Sequence, residues 1–381
     1  MRHLTSTERA VRWLGSIVIC AATMVVGTAR AEDIVIGQIG PFTVLPSPDA
    51  NEMNQGAQAY FDLVNEAGGI AKRRISFFKL DDKYSADEFA KQVDIAIGRK
   101  AIALISPVGS AVMQKLVLDK LLDKSDLVVL NALPGAEVFR KPGHPRLFHI
   151  RAGDGDQIAK IVQHIKTLGV GRLEVLYQDV ATGTSGLAIA KEVGQSVGVQ
   201  VEGVSSKADT PTLTVAAKAA AATQPEATLV LGAPRFMAES AALLRKAGVA
   251  SPIFAVSYLP PPLLVKLAGE ADARGVAITQ AFPNPNGKIL AIQREFQETM
   301  KKYAPTVASY NAFHLEGYIC ARVLVEALRR GGTPSSEQLA KNLHSMGPLD
   351  VGGFTVDFSK GNIGGAFVDI GMVSTGGRLL Y

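Results

Sequence analysis

The chain has 381 residues, 47% of them hydrophobic and 20% charged, with 37 Gly, 19 Pro and two Cys. That length accommodates two domains, and that composition excludes a disordered, collagen-like or disulfide-stapled protein. The formal charge of +5 comes without any dense basic run interleaved with aromatics, which argues against a nucleic-acid partner.

Residues 1–31 read as a leader. Arg2, Arg9 and Arg12 precede the apolar run "WLGSIVICAATMVVGTA", and "ARA" ends in small residues before Glu32, the pattern of a secretory signal peptide cleaved after Ala31. A retained anchor fits less well, because the run contains Gly, Ser and Thr and sits at the short edge of a membrane span. Cys20 lies in mid-run after "IVI", which disfavours a lipoprotein. Cleavage removes four Arg and Glu8 and lowers the net charge to +2. It leaves Cys320 alone, so no internal disulfide is expected, and no second apolar segment reaches spanning length.

From Asp33, strand-like and helix-like runs alternate. "DIVIGQI" predicts a strand, and Met53, Ala57, Tyr60, Phe61 and Val64 recur at helical spacing up to Gly68-Gly69. "RISFFKLDD", "AIALIS" and "DLVVLNA" predict three more strands, separated by the helices "SADEFAKQVDIAI", opened by Ser85, and "SAVMQKLVLDKLL". After "RLFHIRAGDGDQ" the alternation restarts and runs to the strand "RGVAITQ". Such alternation predicts parallel sheets covered on both faces, here in two α/β lobes of similar build. "QAFPNPNGK" interrupts it, and three helices and a Gly-rich β finish follow. The middle helix, "SYNAFHLEGYICARVLVEALRR", is apolar enough to require burial, against the first lobe, with Cys320 as a small buried hydrophobe.

Catalytic motifs are weak. A nucleophile elbow needs G-x-S-x-G, whereas Ser110 stands in Val108-Gly109-Ser110-Ala111-Val112 without the trailing glycine. The glycines of "GVGRL" lie between helix and strand, the reverse of a dinucleotide site, and no P-loop or H-E-x-x-H sequence occurs. Asp81-Asp82 reads as turn chemistry in preference to a metal pair. Neither a cofactor nor a metal is expected. The strand-to-helix turns, by contrast, suit holding a solute, because open α/β sheets bind ligands beyond the carboxyl ends of their strands. "SPVGS", Ser106 to Ser110, is the best of them: Gly109 permits close backbone approach and Ser110 is expected as the N-cap of a helix whose first amides favour an anion. An N-cap serving only its helix stays open as the alternative.

In order along residues 33–381, "IVIGQIGPFT", "GAQAYFDLVNEAGGI", "LDDKYSADEFAKQV", "LISPVGSAV", "VLYQDVATGTSGLAIA", "HLEGYICARVLVEALRRGG" and "FTVDFSKGNIGGAFVDI" resemble the Leu/Ile/Val-binding type of periplasmic substrate-binding proteins of ABC transporters, the type I group. The resemblance implies two Rossmann-like lobes with parallel sheets, joined by three crossing segments and closing on a small-molecule ligand. The crossings are expected near His149–Arg151, Gln280–Pro283 and Leu349–Gly353, with 32–150 and 281–350 in lobe 1 and 151–280 and 351–381 in lobe 2. It implies that Gly109, Ser110 and the segment Ala132, Leu133, Pro134 and Gly135 hold a ligand carboxylate, and that the turn Tyr177–Asp179 contributes from lobe 2. A periplasmic location, a membrane permease as partner and no enzymatic activity are implied with it.

The residues depart from the family at two points. Ser257 and Tyr258 occupy the segment that supplies an acid for a ligand ammonium in amino-acid binders, and Leu133-Pro134 replaces small or hydroxyl residues. An unpaired ammonium in a closed cleft is costly. An amino acid therefore requires a charge from Asp179, while a carboxylate with an apolar or aromatic body against Phe42 and Tyr258 suits the residues at least as well. Two other uses stay open: a sensor passing its signal to a membrane receptor or kinase, and a secreted hydrolase using Ser110.

Overall fold

The computed structural model describes residues 32–44, 48–133 and 135–381; the leader expected over 1–31 and the candidate Pro134 lie outside the described residues. The predicted alternation is present from Asp33 on. β1 (Ile34–Gly40), β2 (Ile75–Asp81), β3 (Ala103–Ile105), β4 (Val128–Leu130) and β5 (Leu147–Phe148) form an all-parallel sheet in the order β2-β1-β3-β4-β5. In the second sheet β6 (Arg172–Gln178), β7 (Gln200–Ser206), β8 (Ala227–Leu231), β9 (Ile253–Ala255) and β10 (Ala277–Gln280) are parallel. A hairpin, β11 (Pro348–Asp350) and β12 (Thr355–Asp357), stands apart, while β13 (Asp369–Val373) joins the second sheet antiparallel to β10 and β14 (Leu379–Leu380) pairs antiparallel with β13. Its order is β14-β13-β10-β9-β8-β6-β7. β3, β4, β8 and β9 are buried along their whole length, as their runs of Val, Ile, Leu and Ala require in a sheet with two covered faces.

The covering helices are α1 (Pro48–Glu66), α2 (Ala86–Gly98), α3 (Ser110–Met113), α4 (Asp154–Thr167), α5 (Ala181–Val197), α6 (Thr210–Ala222), α7 (Pro234–Lys246), α8 (Pro261–Ala273), α9 (Ala291–Tyr303), α10 (Ala312–Arg329) and α11 (Ser336–Ser345). Ser85 caps α2 as predicted, its hydroxyl accepting from Glu88 N at 3.3 Å. The helix expected over "SAVMQKLVLDKLL" is shorter: α3 runs on as a π-helical turn over Gln114–Leu118, and Lys120 then takes a positive φ of 57°.

α10 covers the first lobe through contacts that only glycine permits. A Cβ on Gly56 of α1 would lie 1.9 Å from His314 O, and one on Gly317 of α10 would lie 2.0 Å from Met53 O. The two helices thus approach backbone to backbone. Cys320, on the same helix, is wholly buried, and burial pushes its thiol up.

The chain passes between the lobes three times. Ile150 and Ala152 belong to the first core and Ile158 to the second, so the first passage begins just beyond Arg151, between Ala152 and Ile158. The second follows β10, with Ala281 and Phe282 already in the first core. The third is later than the sequence suggests. Val351, Phe354, Val356 and Phe358 all pack in the first core, with Phe358 5.1 Å from the Phe148 ring, and the chain joins the second sheet only at Asp369. Alternation in "FTVDF" buries one face of β12 against lobe 1, so neither a crossing at Leu349–Gly353 nor a boundary at 351 holds.

Candidate functional site

The turns after β4 and β9, at carboxyl ends of the two sheets, meet through Gly135 and Tyr258. After β1, the amide of Phe42 and the hydroxyl of Thr43 donate to the Asp81 carboxylate, which ends β2. Asp82, fully buried, accepts from Tyr84 N at 2.8 Å. The acidic pair is therefore turn chemistry, as expected, and no group of three His, Cys, Asp or Glu that could hold a metal occurs among the described residues.

β3 and β4 each end on a left-handed residue, Ser106 at φ 48° and Asn131 at φ 61°, an unusual backbone state for side chains other than glycine. The turns beyond them are zipped together. Gly109 N donates to Leu133 O and Leu133 N to Pro107 O, each at 2.9 Å. Gly109, at φ 125°, is the N-cap of α3. Ser110 is the first helical residue, is exposed, and is not the cap that the sequence suggested. Two amides expected to face a ligand thus have partners in the protein: that of Gly109 on Leu133, and that of Gly135 on the Tyr258 hydroxyl at 2.5 Å. The first-turn amides of Ser110 and Ala111 have no acceptor within their own helix.

Around these turns Ala50, Met53, Val108, Leu133 and Phe313 form a small buried apolar cluster, with Phe42 and Tyr258 packed against it. It combines the turns after β1, β3 and β4 with the first turns of α1 and α10 and with Tyr258 from lobe 2. Ala132, buried beside Leu133, belongs to the first lobe's core.

On the second lobe, Tyr177 at the end of β6 packs on that lobe's core. Asp179 is exposed, its backbone amide on Ser206 O at 2.8 Å. Neither joins the cluster. Ser257 and Tyr258 do reach across. Ser257 Oγ accepts from Arg151 Nη1 at 2.7 Å, and its amide donates to Gln157 Oε1 at 3.0 Å. The Tyr258 hydroxyl also donates to Asp154. Burial pushes the Asp154 carboxyl up to about 6, against the pull of Tyr258, Arg140 and Arg151.

Arg151 is the residue that the sequence argument placed in a crossing and gave no role. Its Nε and Nη2 meet Glu316 at 3.1 and 3.0 Å, and its guanidinium carbon lies 5.2 Å from the Tyr258 ring centroid and 5.9 Å from those of Phe282 and Phe313. Asn131, in its left-handed state, donates to Glu316 at 2.8 Å and accepts from Arg151 N at 3.0 Å. A buried cation is thereby paired, hydrogen-bonded and stacked beneath the apolar cluster. Only the run "HLEGYIC" signalled it, by setting Glu316 inside an otherwise apolar helix face.

Among the described residues no histidine ring is hydrogen-bonded to Ser110: His314 bonds Asn311 and Gln55, His144 bonds Asp123, His344 bonds Pro145 O, His164 packs edge-on to Phe254 in lobe 2, and neither ring nitrogen of the buried His149 has a protein partner. A surface groove of about 770 Å³ lies at the opposite, amino ends of the first sheet. Its Lys100, Arg73 and Arg146 are engaged by Glu32, Asp33 O and Asp126.

Two α/β lobes with three passages and a cluster at the strand ends define a two-lobed ligand-binding protein. The chain belongs to the periplasmic binding protein family, which matches residues 33–369. An extracellular ligand-binding receptor from Verminephrobacter eiseniae is 46% identical, with a TM-score of 0.87 over 92% of this chain and 100% of that one. A substrate-binding periplasmic protein from Ralstonia solanacearum is 27% identical, with a TM-score of 0.82 over 91% and 99%. Leu/Ile/Val-binding protein homolog 3 of Brucella melitensis is 24% identical over 358 residues, 91% of this chain and 92% of the relative. The fold is that of the type I periplasmic binding proteins, and the family and its solved members are binding proteins, not enzymes. No helix among the described residues is long and apolar enough to cross a membrane.

Proposed function

We propose that the exported chain captures a small carboxylate-bearing solute between its lobes in the periplasm and delivers it to a membrane permease of an ABC transporter. The observation that carries this reading is the apolar cluster of Ala50, Met53, Val108, Leu133 and Phe313, which Phe42 and Tyr258 flank from opposite lobes. With the lobes apart, a solute with an apolar body gains by covering this cluster from water, and the first-turn amides of α3 are available to its acid end. Ligand binding that favours the closed arrangement shifts the population of lobes toward it.

An apolar or aromatic carboxylic acid fits this reading better than an α-amino acid. The acids beside Tyr258 and Arg151 are already engaged, Asp154 by the Tyr258 hydroxyl and Glu316 by Arg151 and Asn131. Asp179 is exposed and has no part in these contacts. A test is a thermal-shift panel of matched pairs, each an acid and its α-amino counterpart. Stabilisation by the acids alone supports the reading, and stabilisation by the amino acids alone overturns it.

A further inference from the structure

We infer that Tyr258 is a latch between the two lobes, so that the closed state is held in part by this side chain and not by the solute alone. Tyr258 follows β9 on lobe 2, yet its hydroxyl accepts the amide of Gly135, in the turn after β4 on lobe 1. The same hydroxyl donates to Asp154, the first residue of α4. Gly135 fits closely beneath it: a Cβ there would stand 3.0 Å from the hydroxyl oxygen and 3.2 Å from Ala152 O. The Arg151 guanidinium lies over the Tyr258 ring and bonds Ser257 on one side and Glu316 on the other. The Ser257–Tyr258 turn is therefore fastened to lobe 1 by two hydrogen bonds and a stacked cation.

One oxygen serves both a donor and an acceptor. Its removal leaves the Gly135 amide and the Asp154 carboxylate without this partner in the closed arrangement, whereas both are hydrated when the lobes part. The open state gains in proportion. The closed conformation is then partly pre-formed, and the solute completes a contact that the protein has begun. This goes beyond solute capture and needs no knowledge of the solute.

The test is small-angle X-ray scattering on the protein freed of small molecules by unfolding and refolding, with circular dichroism confirming the fold. Wild type is expected near the radius of gyration of a compact chain of this size, about 20 Å. Tyr258→Phe is expected to give a larger radius, with a tenfold or greater rise in the open-to-closed ratio. Ser257→Ala, which removes the bond from Arg151 to the same turn, should expand the particle in the same direction, and it serves as the second arm if Tyr258→Phe does not fold. Tyr258→Phe and Ser257→Ala radii both equal to that of wild type would overturn the latch. Because no solute enters the measurement, a failure to find one leaves this result standing, and the converse holds.

Discussion

Arg151 and Glu316, 165 positions apart, meet through two near-parallel hydrogen bonds of 3.1 and 3.0 Å with side chains 2% and 0% exposed. The pair joins the start of the first passage between the lobes to α10. Removing one member leaves a buried charge without its partner, which typically destabilises by about 3–5 kcal/mol. Glu316→Gln is expected to lose that much in urea unfolding, and Arg151→Lys to lose less but to sacrifice the forked geometry. A loss below about 1 kcal/mol for Glu316→Gln, the range of an exposed pair, would mean that water reaches the site.

Gly109 and Ser110 should respond in opposite ways. Gly109 sits at φ 125°, where a β-branched side chain is strained whatever the space around it, so Gly109→Val should destabilise by about 1–3 kcal/mol and weaken solute binding. Ser110 is exposed, so Ser110→Ala should change stability by about 0.5 kcal/mol or less and abolish no turnover. Calorimetric unfolding and solute titration of both variants test this; equal losses would return Ser110 to a structural role.

Burial makes two histidines poor bases. His149 is held down at about 3, with Arg140 adding to the effect, and His314 at about 4, both from an ordinary 6.5. In each case the unfolded chain binds the proton more tightly, so the stability is present above pH 6.5 and is lost as pH falls toward the folded values. Glu52, Asp82 and Asp154, pushed up to about 6, act in the other direction: their contribution is present below about pH 4 and is lost as pH rises through 6. Comparing His149→Leu with wild type cancels the acids. The stability gap should widen in favour of the variant by about 2 kcal/mol between pH 7 and pH 5. A gap independent of pH would place a proton on His149 in the folded state.

Export has a simple optical signature. Trp13 is the only tryptophan of the sequence and lies within the expected leader. Protein recovered from the periplasm should begin at Glu32 by intact mass and show no tryptophan emission. A tryptophan signal from that fraction would mean that the leader is retained.

Much of the architecture was legible because it follows from local pattern. Short, mostly apolar runs such as "ATLVL", set between helical segments, read as strands buried on both faces, and Ser85 and Gly69 mark helix ends by their own chemistry. α10 announced its burial by composition. What escaped was set by partners distant in sequence. Nothing local shows that Gly109 N would pair with Leu133 O, that Tyr258 would reach Gly135, or that Arg151 would find Glu316. The third passage was misplaced for a similar reason. The Gly-rich finish reads as continuous β structure, and only the packing of Phe354 and Phe358 against lobe 1 shows which sheet holds which part.

The central claim, capture of a carboxylate solute between the lobes, is tested most directly by mass spectrometry of small molecules released from natively purified protein. One carboxylic acid with an apolar body, approaching one molecule per chain, is the predicted result, and adding it back to stripped protein should raise the unfolding temperature. Folded protein that releases nothing, and that no amino acid, aromatic acid or short carboxylate stabilises, would contradict the account.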